Sequence, residues 1–594
     1  MSRTSKREAR EMAPEQGSGQ QRPFYRNKKF QNIGLWVLIG IFYLVLAVFF
    51  TWPLASNLSS SIIGQSDFTD GPFFLWNLWW VKEAIFSLKN PFFTDFVYFP
   101  AHVNLTMHTL TLTSGLLSLP IQEWLGLVKS LNMILFFSMV ATGLGMVALM
   151  KYLTGNRFIG MVSGVVFGFS PYLFSHLQAG HFNLTMLWLI PLTVLFFYKI
   201  LREKKIYNPI VFAILVALQS YLDLQVAVFN IFILVILLVG YGVLEAKNTF
   251  SRHTLLRLVL ALALYLGLFA LPYYLLIKGF WSGSMASEIY NNGDLKIIFG
   301  LNPLSPYFAN ENLKLTLRLI GSYRENVISL GFAAMALSIL AFIAVKRNLK
   351  EKIIYLIMAI AGVVLAMGPY IQFDQKVIYG FHLPFFYLAK LPFFDAGIVP
   401  TRFIVIAYFA IAVLAGLTFF DLWVFTKRKK LLWLGVILMV LATALVSFEY
   451  YCGQMKTDSL SVSPIFEEIK NMPGDFTVLP AISTARDGYY QTVHQKKVVS
   501  GYLGRRVHDY YEAQYANEPG LRRLASDRLD PMQEDDLNRD KVIAALLKYK
   551  VKYVYIDKTN HKTDVVEHFR NYIGSTIELH AYREDKGVLV FEVN

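Results

Sequence analysis

The sequence predicts a polytopic α-helical membrane protein of about eleven transmembrane helices with a small C-terminal extracytoplasmic α/β domain. Three observations predict this class. Of 594 residues, 55% are hydrophobic and only 16% are charged, with a mean hydropathy of +0.43. So few charges cannot shield that much apolar side chain from water, which excludes an ordinary soluble domain. Apolar runs of about 20 residues recur up to Tyr450, each long enough to cross roughly 30 Å of hydrocarbon at about 1.5 Å per residue. Beyond Cys452 the chain turns polar and charged and has no such run.

Residues 1–30 read as a disordered cytoplasmic tail, because Arg3, Lys6, Arg7, Arg10, Arg22, Arg26, Lys28 and Lys29 lie among Gly, Ser, Gln and Pro. The run from Ile33 to Trp52 is too long for a signal h-region and lacks a small-x-small cleavage site, so it reads as an uncleaved first span. A long outer loop, 53–130, follows. Within it Phe73 to Asn90 places Lys82, Glu83, Lys89 and Asn90 on one helical face and Phe73, Trp80, Ile85 and Leu88 on the other, which predicts a helix lying in the membrane interface. Leu110 to Leu127 is apolar but broken by Pro120 and Gln122-Glu123, and reads as a second interfacial or re-entrant helix.

Further spans are expected near 131–150, 158–175, 184–200, 206–223, 225–244, 255–277, 326–345, 353–371, 402–424 and 431–450, with large outer loops at 278–325 and 372–401. Residues 31–451 form the membrane domain on this reading, and 452–594 the outer α/β domain. In the latter, strands are expected around Asp475, Val551 and Gly587, and helices over 541–549 and 564–572.

Lysine and arginine in the short connections orient the chain. Lys151/Arg157, Lys199/Arg202/Lys204/Lys205, Lys247/Arg252/Arg257, Lys346/Arg347/Lys350/Lys352 and Lys427 to Lys430 all fall on the side of the N-terminal tail. The N-terminus is therefore expected in the cytoplasm and the C-terminus outside. This topology accounts for the net charge of +15, so no nucleic-acid partner is invoked. The single cysteine, Cys452, excludes a disulfide framework or a cysteine zinc cage.

The middles of the spans show no ionisable residue, which weighs against an ion-coupled transporter. Candidate functional groups gather at the outer surface instead. Asp67 and Asp70 follow the first span, with turn and N-cap roles as the structural alternative. Asp95 and His102 flank an aromatic turn, His181 lies in a short outer loop, and Asp294 with Lys296 follows the seventh span. Arg402 opens the tenth, where it can snorkel or clamp a lipid phosphate. In the outer domain Tyr489, Tyr490, His494, Arg505 and Arg506 combine rings and cations suited to stacking on an acceptor sugar, or to ordinary packing.

The strings SDFTDGPFFLWNLWW, FVYFPAHVNL, FGFSPYLFSHLQAGHFNL, GDLKIIFGLNPLSP and LPFFDAGIVPTRF, in the order helix, acidic outer loop, spans, second outer loop, make residues 30–450 resemble the GT-C superfamily of polyprenyl-phosphate-dependent glycosyltransferases. YYQTVHQKKVVSGYLGRR resembles the outer domain of a prokaryotic branch. The resemblance implies an essential acid in the first outer loop, a position Asp67 matches better than Asp70. Relatives commonly carry an arginine where this chain has Ile398, a departure that bears on phosphate binding.

The activity implied is inverting transfer of a sugar from a polyprenyl-phosphate donor in the lipid bilayer to an extracytoplasmic glycan, lipid or protein acceptor. No metal is obligatory for so good a leaving group, although carboxylates and His181 offer donors for a divalent cation. A non-catalytic membrane scaffold and a lipid-linked sugar transporter are the rival classes.

Overall fold

The computed structural model describes residues 23–64, 70–106, 108–280, 294–300, 302–307, 325–343, 347–374, 376–391, 399–504, 511, 515, 517–525, 534–559, 561 and 563–593. The tail up to residue 22, Asp67, Ile398, Arg505 and Arg506 lie outside them.

Helix α1 (Pro23–Phe50) leads through β1 (Ser61–Ile63) to α2 (Gly71–Phe86), the hairpin β2 (Phe93–Thr94) and β3 (Val103–Asn104), and α3 (Leu112–Leu125). Then come α4 (Leu127–Thr154), α5 (Ile159–Gly168), α6 (Pro171–Gln178), α7 (Leu189–Arg202), α8 (Tyr207–Leu222), α9 (Leu224–Leu244) and α10 (Arg252–Phe280). They are followed by α11 (Phe332–Ile343), α12 (Leu349–Ala366), the hairpin β4 (Ile371–Phe373) and β5 (Lys376–Ile378), α13 (Ile404–Arg428) and α14 (Leu432–Tyr450). The C-terminal unit contains β6 (Thr457–Ser459), α15 (Ile465–Asn471), β7 (Thr477–Pro480), α16 (Ala485–His494), α17 (Arg539–Lys548), β8 (Val551–Asp557), α18 (Thr563–Asn571), β9 (His580–Asp585) and β10 (Val588–Glu592).

The chain is a multi-pass membrane protein. Among the described residues six helices are long and apolar enough to cross a membrane: those holding Asn32–Phe50, Leu127–Thr154, Leu224–Leu244, Arg252–Ala270, Pro400–Arg428 and Leu432–Tyr450. Shorter apolar helices fill in between. The centre of the bundle is α13, whose residues from Ile404 to Leu417 are all buried. Its neighbour α12 comes so near that a Cβ on Gly362 would lie 2.5 Å from the Ala407 nitrogen, so only glycine permits this contact. At the far end of the same helix pair, Lys352 Nζ donates to Asp421 Oδ2 at 2.6 Å, with both side chains buried. Lys352, counted above among the loop cations, is thus a neutralised helix residue, and its acid lies inside the span expected at 402–424.

The third expected span, 158–175, is not one helix. Ser170 is extended (φ −72°, ψ 155°) because the ring of Pro171 disfavours helical geometry in the residue before it. Ten-residue α5 rises only about 15 Å, half the hydrocarbon thickness, before the chain turns into α6. The polar end of α6 therefore reaches the bundle mouth.

The C-terminal unit is a four-stranded sheet in the order β7-β8-β10-β9, parallel between β7 and β8 and antiparallel elsewhere. It is joined to the first loop at several places. Strand β6 pairs antiparallel with β1, setting Ser61 against Ser459 and Ile63 against Thr457. Val498 N–H donates to Phe96 O at 2.8 Å, and Phe99 N–H to Val498 O at 3.0 Å. Trp76 Nε1 donates to Gln491 Oε1 at 2.7 Å.

Helix α2 accordingly departs from the interface-lying helix expected from its pattern. Its residues from Gly71 to Val81 are buried throughout, and Trp76, Trp79 and Trp80 belong to the same core as Phe466, Val478 and Tyr490 of the C-terminal unit. A helical wheel shows that one face is polar. It does not show that a second domain will cover the other faces.

Candidate functional site

Several elements bring polar groups to the mouth of the bundle beneath the C-terminal unit. Asp70 is the N-cap residue of α2, yet its side chain makes no capping bond. Its Oδ1 instead accepts from Tyr502 Oη at 3.0 Å, and its Oδ2 lies 3.7 Å from His181 Nε2.

The Ser170-Pro171 break delivers the histidines. From α6 the chain turns back at Gly180 (φ +77°), a left-handed conformation that glycine adopts without strain, so that His181 N–H donates to His176 O at 2.9 Å. The two Nδ1 atoms then sit 3.0 Å apart, which requires one to carry a proton and the other to accept it. Asn183, two residues on, donates from Nδ2 to Asp223 Oδ2 at 2.6 Å, while Asp223 Oδ1 caps α9 through Val226 N–H at 2.8 Å. These bonds fix the loop to the α8–α9 corner.

Arg402, at the start of the α13 segment, grips Glu325 with its fork: Nε donates to Oε2 at 3.1 Å and Nη2 to Oε1 at 2.5 Å. Nη1 donates to Gln225 Oε1 at 2.6 Å. The same carboxylate faces His181 Nδ1 at 3.5 Å and His176 Nε2 at 3.9 Å. Burial pushes the Glu325 carboxyl up, but Arg402, His176 and His181 outweigh it and hold it well below the usual carboxylate range.

Of the residues expected from sequence, Asp70, His181 and Arg402 are thus brought together. Asp67 lies outside the described residues. Asp95 is tied to Lys497 at 2.5 Å, and that lysine first offsets burial and then lowers its pKa. His102 is exposed and stacks on Phe93 at 5.2 Å. Asp294 caps the turn Leu295–Ile298 by accepting from Lys296 N–H at 2.8 Å, and also accepts from Asp374 N–H at 3.1 Å. Lys296 Nζ pairs with Asp374 at 2.6 Å. These four have structural partners away from the cluster.

In the C-terminal unit Tyr490 and His494 are core residues, which corrects the sugar-stacking reading. Tyr490 stacks on Phe466 at 4.6 Å and donates to Asp557 Oδ2 at 2.7 Å. His494 is fully buried, which pushes it down to about 3.

Sequence reasoning missed His176 and Glu325. Glu325 offered one clue, a lone carboxylate at the end of an outer loop immediately before an apolar run, where Arg402 stands in the mirror position on another span.

His176, His181 and Glu325 place one donor atom each within 4.8 Å of one another, a composition suited to a divalent cation such as zinc. The guanidinium seated on both Glu325 oxygens already compensates that charge, so a cation there would share its carboxylate with Arg402.

No protein-family model matches the chain, and no curated protein matches it by sequence. Among solved structures, arabinofuranosyltransferase AftD from Mycobacteria superposes with a TM-score of 0.51 at 13% identity, covering 94% of this chain. The chain spans 41% of the length of that enzyme. The Archaeoglobus fulgidus oligosaccharyltransferase AglB, in complex with an inhibitory peptide and a dolichol-phosphate, gives 0.48 at 13% identity over 96% of this chain and 74% of its own. ArnT from Cupriavidus metallidurans bound to undecaprenyl phosphate gives 0.47 at 12% identity over 94% and 98%. The fold is that of the GT-C glycosyltransferases.

Proposed function

We infer that the chain is a membrane glycosyltransferase that moves a sugar from a polyprenyl-phosphate donor to an acceptor hydroxyl on the extracytoplasmic side, which is the side of the C-terminal unit. One observation carries this reading: Asp70, His176, His181, Glu325 and Arg402 converge at the bundle mouth in a chain with the GT-C fold.

In this reading a carboxylate of the Asp67/Asp70 pair takes the proton of the acceptor as its heteroatom attacks the anomeric carbon. The bond from that carbon to the phosphate oxygen breaks, its electron pair leaves on the phosphate, and the configuration inverts. His181, whose two ring nitrogens face Asp70 and His176, positions the carboxylate against the bundle mouth. Arg402 has two N–H bonds beyond the three that bind Glu325 and Gln225, and these offer the departing phosphate a cationic contact. A divalent cation on His176, His181 and Glu325 would supply Lewis-acid assistance when bound, but transfer does not require it.

The test is a screen of radiolabelled polyprenyl-phosphate sugars against purified protein in lipid, scored for label moved to an acceptor or to water. Donor-specific turnover supports the reading. A protein that binds no donor and turns none over is a scaffold.

A further inference from the structure

A polar cavity lies away from the bundle mouth, in the seam between α3, α4 and the C-terminal unit, with a volume of about 360 Å³. Lys82, Lys129 and Lys470 border it, with Glu467 as the one carboxylate in its lining. Lys82 is shared with Glu123, but neither Lys129 nor Lys470 has an acidic partner among the described residues. The start of α4 forms one wall. Gly126 caps that 28-residue helix without a side-chain bond, and the N–H groups of Leu127, Val128 and Lys129 have no acceptor among the described residues. Trp79 also borders the cavity. Its ring is only 6% exposed and its indole nitrogen is sealed from solvent, so Trp79 contributes an apolar wall.

Unused N–H groups at a helix N-terminus and two uncommitted ammonium groups form a set of donors without an acceptor. A phosphate supplies what such a set needs, through several acceptor oxygens and a negative charge. The depth of the cavity indicates where the phosphate comes from. It opens at the end of a membrane-crossing helix, and beside it Leu116, Leu117 and Trp124 of α3 are exposed, with Trp124 at 87%. Exposed aliphatic side chains next to an exposed tryptophan mark the boundary between hydrocarbon and headgroups.

We propose that this cavity binds the headgroup phosphate of an anionic phospholipid from the leaflet facing the C-terminal unit. Because α4 supplies one wall while Lys470 and Tyr489 of the C-terminal unit supply another, the bound lipid bridges the membrane bundle and that unit. The lipid then stabilises the docking that assembles the bundle mouth, and its own site is separate from the cluster of Asp70, His181 and Arg402.

The experiment uses the full chain in a neutral detergent. Phosphatidylglycerol, phosphatidylcholine and glycerol phosphate are titrated separately while the thermal unfolding midpoint is followed, and native mass spectrometry counts retained lipid. Saturable stabilisation by phosphatidylglycerol, with one lipid retained, is expected. The Lys129→Gln/Lys470→Gln variant should weaken its apparent affinity on the order of 30-fold, from the usual worth of a lysine at an anionic surface. Lys470→Gln alone, on a half-buried side chain, should give a smaller loss if the double variant folds poorly. Equal stabilisation by phosphatidylcholine, or an unchanged midpoint shift in both variants, would overturn the site. Equal stabilisation by glycerol phosphate would overturn its assignment to a lipid.

Discussion

The Arg402–Glu325 pair is the most constrained ionic contact at the bundle mouth, since both partners are largely withdrawn from water and both oxygens are used. Arg402→Ala leaves a buried carboxylate uncompensated, which should cost about 3–5 kcal/mol in unfolding free energy, and Arg402→Ala/Glu325→Ala should recover part of it. Calorimetry of the parent, the two single variants and the double variant measures that coupling, and a double-variant loss equal to the sum of the single losses would show that the pair contributes nothing. The lowered Glu325 pKa gives the sign of the pH effect. An acid depressed on folding contributes stability that is fully present above its unfolded pKa of about 4.3 and is lost as pH falls toward its folded value. Glu325→Gln should therefore flatten the acid limb of the stability profile below about pH 4.3. At this scale the sequence was legible where a residue advertised itself: Asp70, His181 and Arg402 stand out in apolar surroundings. Glu325 and His176 did not, because their importance comes from partners 77 and 5 residues away that only the folded chain brings near.

At the scale of elements, hydropathy found the positions of the helices but not the break at Ser170-Pro171, because an apolar run is equally apolar on either side of a lost helical hydrogen bond. That break directs α6, and with it both histidines, to the bundle mouth. Pro171→Ala allows helical geometry at Ser170, and transfer should fall about a hundredfold through misplacement of His176 and His181, with little change in thermal stability. Kinetics beside a melting curve separate those outcomes, and full activity would mean that the break is incidental. The α12–α13 contact shows the opposite limit of sequence reading. Lys352 looked like a loop cation, but Asp421 neutralises it in the bundle. Lys352→Met should cost about 3–5 kcal/mol, whereas Lys352→Met/Asp421→Leu should be nearly neutral. Denaturation in mixed micelles checks both.

For the molecule as a whole, composition and charge distribution were enough to read a membrane bundle followed by a polar α/β unit. They could not show how closely the two are joined, because β1, β6 and the Trp76, Trp79 and Trp80 cluster find their partners hundreds of residues away. Removing residues 456–594 would take β6 from β1 and uncover those tryptophans, so the truncated chain should lose donor turnover together with its fold, as seen by protease sensitivity in the first loop. A stable truncation would mean the unit is an appendage. The bundle mouth itself is tested most directly by single-turnover transfer from a labelled polyprenyl-phosphate sugar, comparing the parent with Asp67→Asn, Asp70→Asn and the double variant at matched thermal stability. Transfer should fall by two to four orders of magnitude in Asp67→Asn and in the double variant, and by about tenfold in Asp70→Asn. Parental rates in all three would contradict a carboxylate-driven transfer at this cleft.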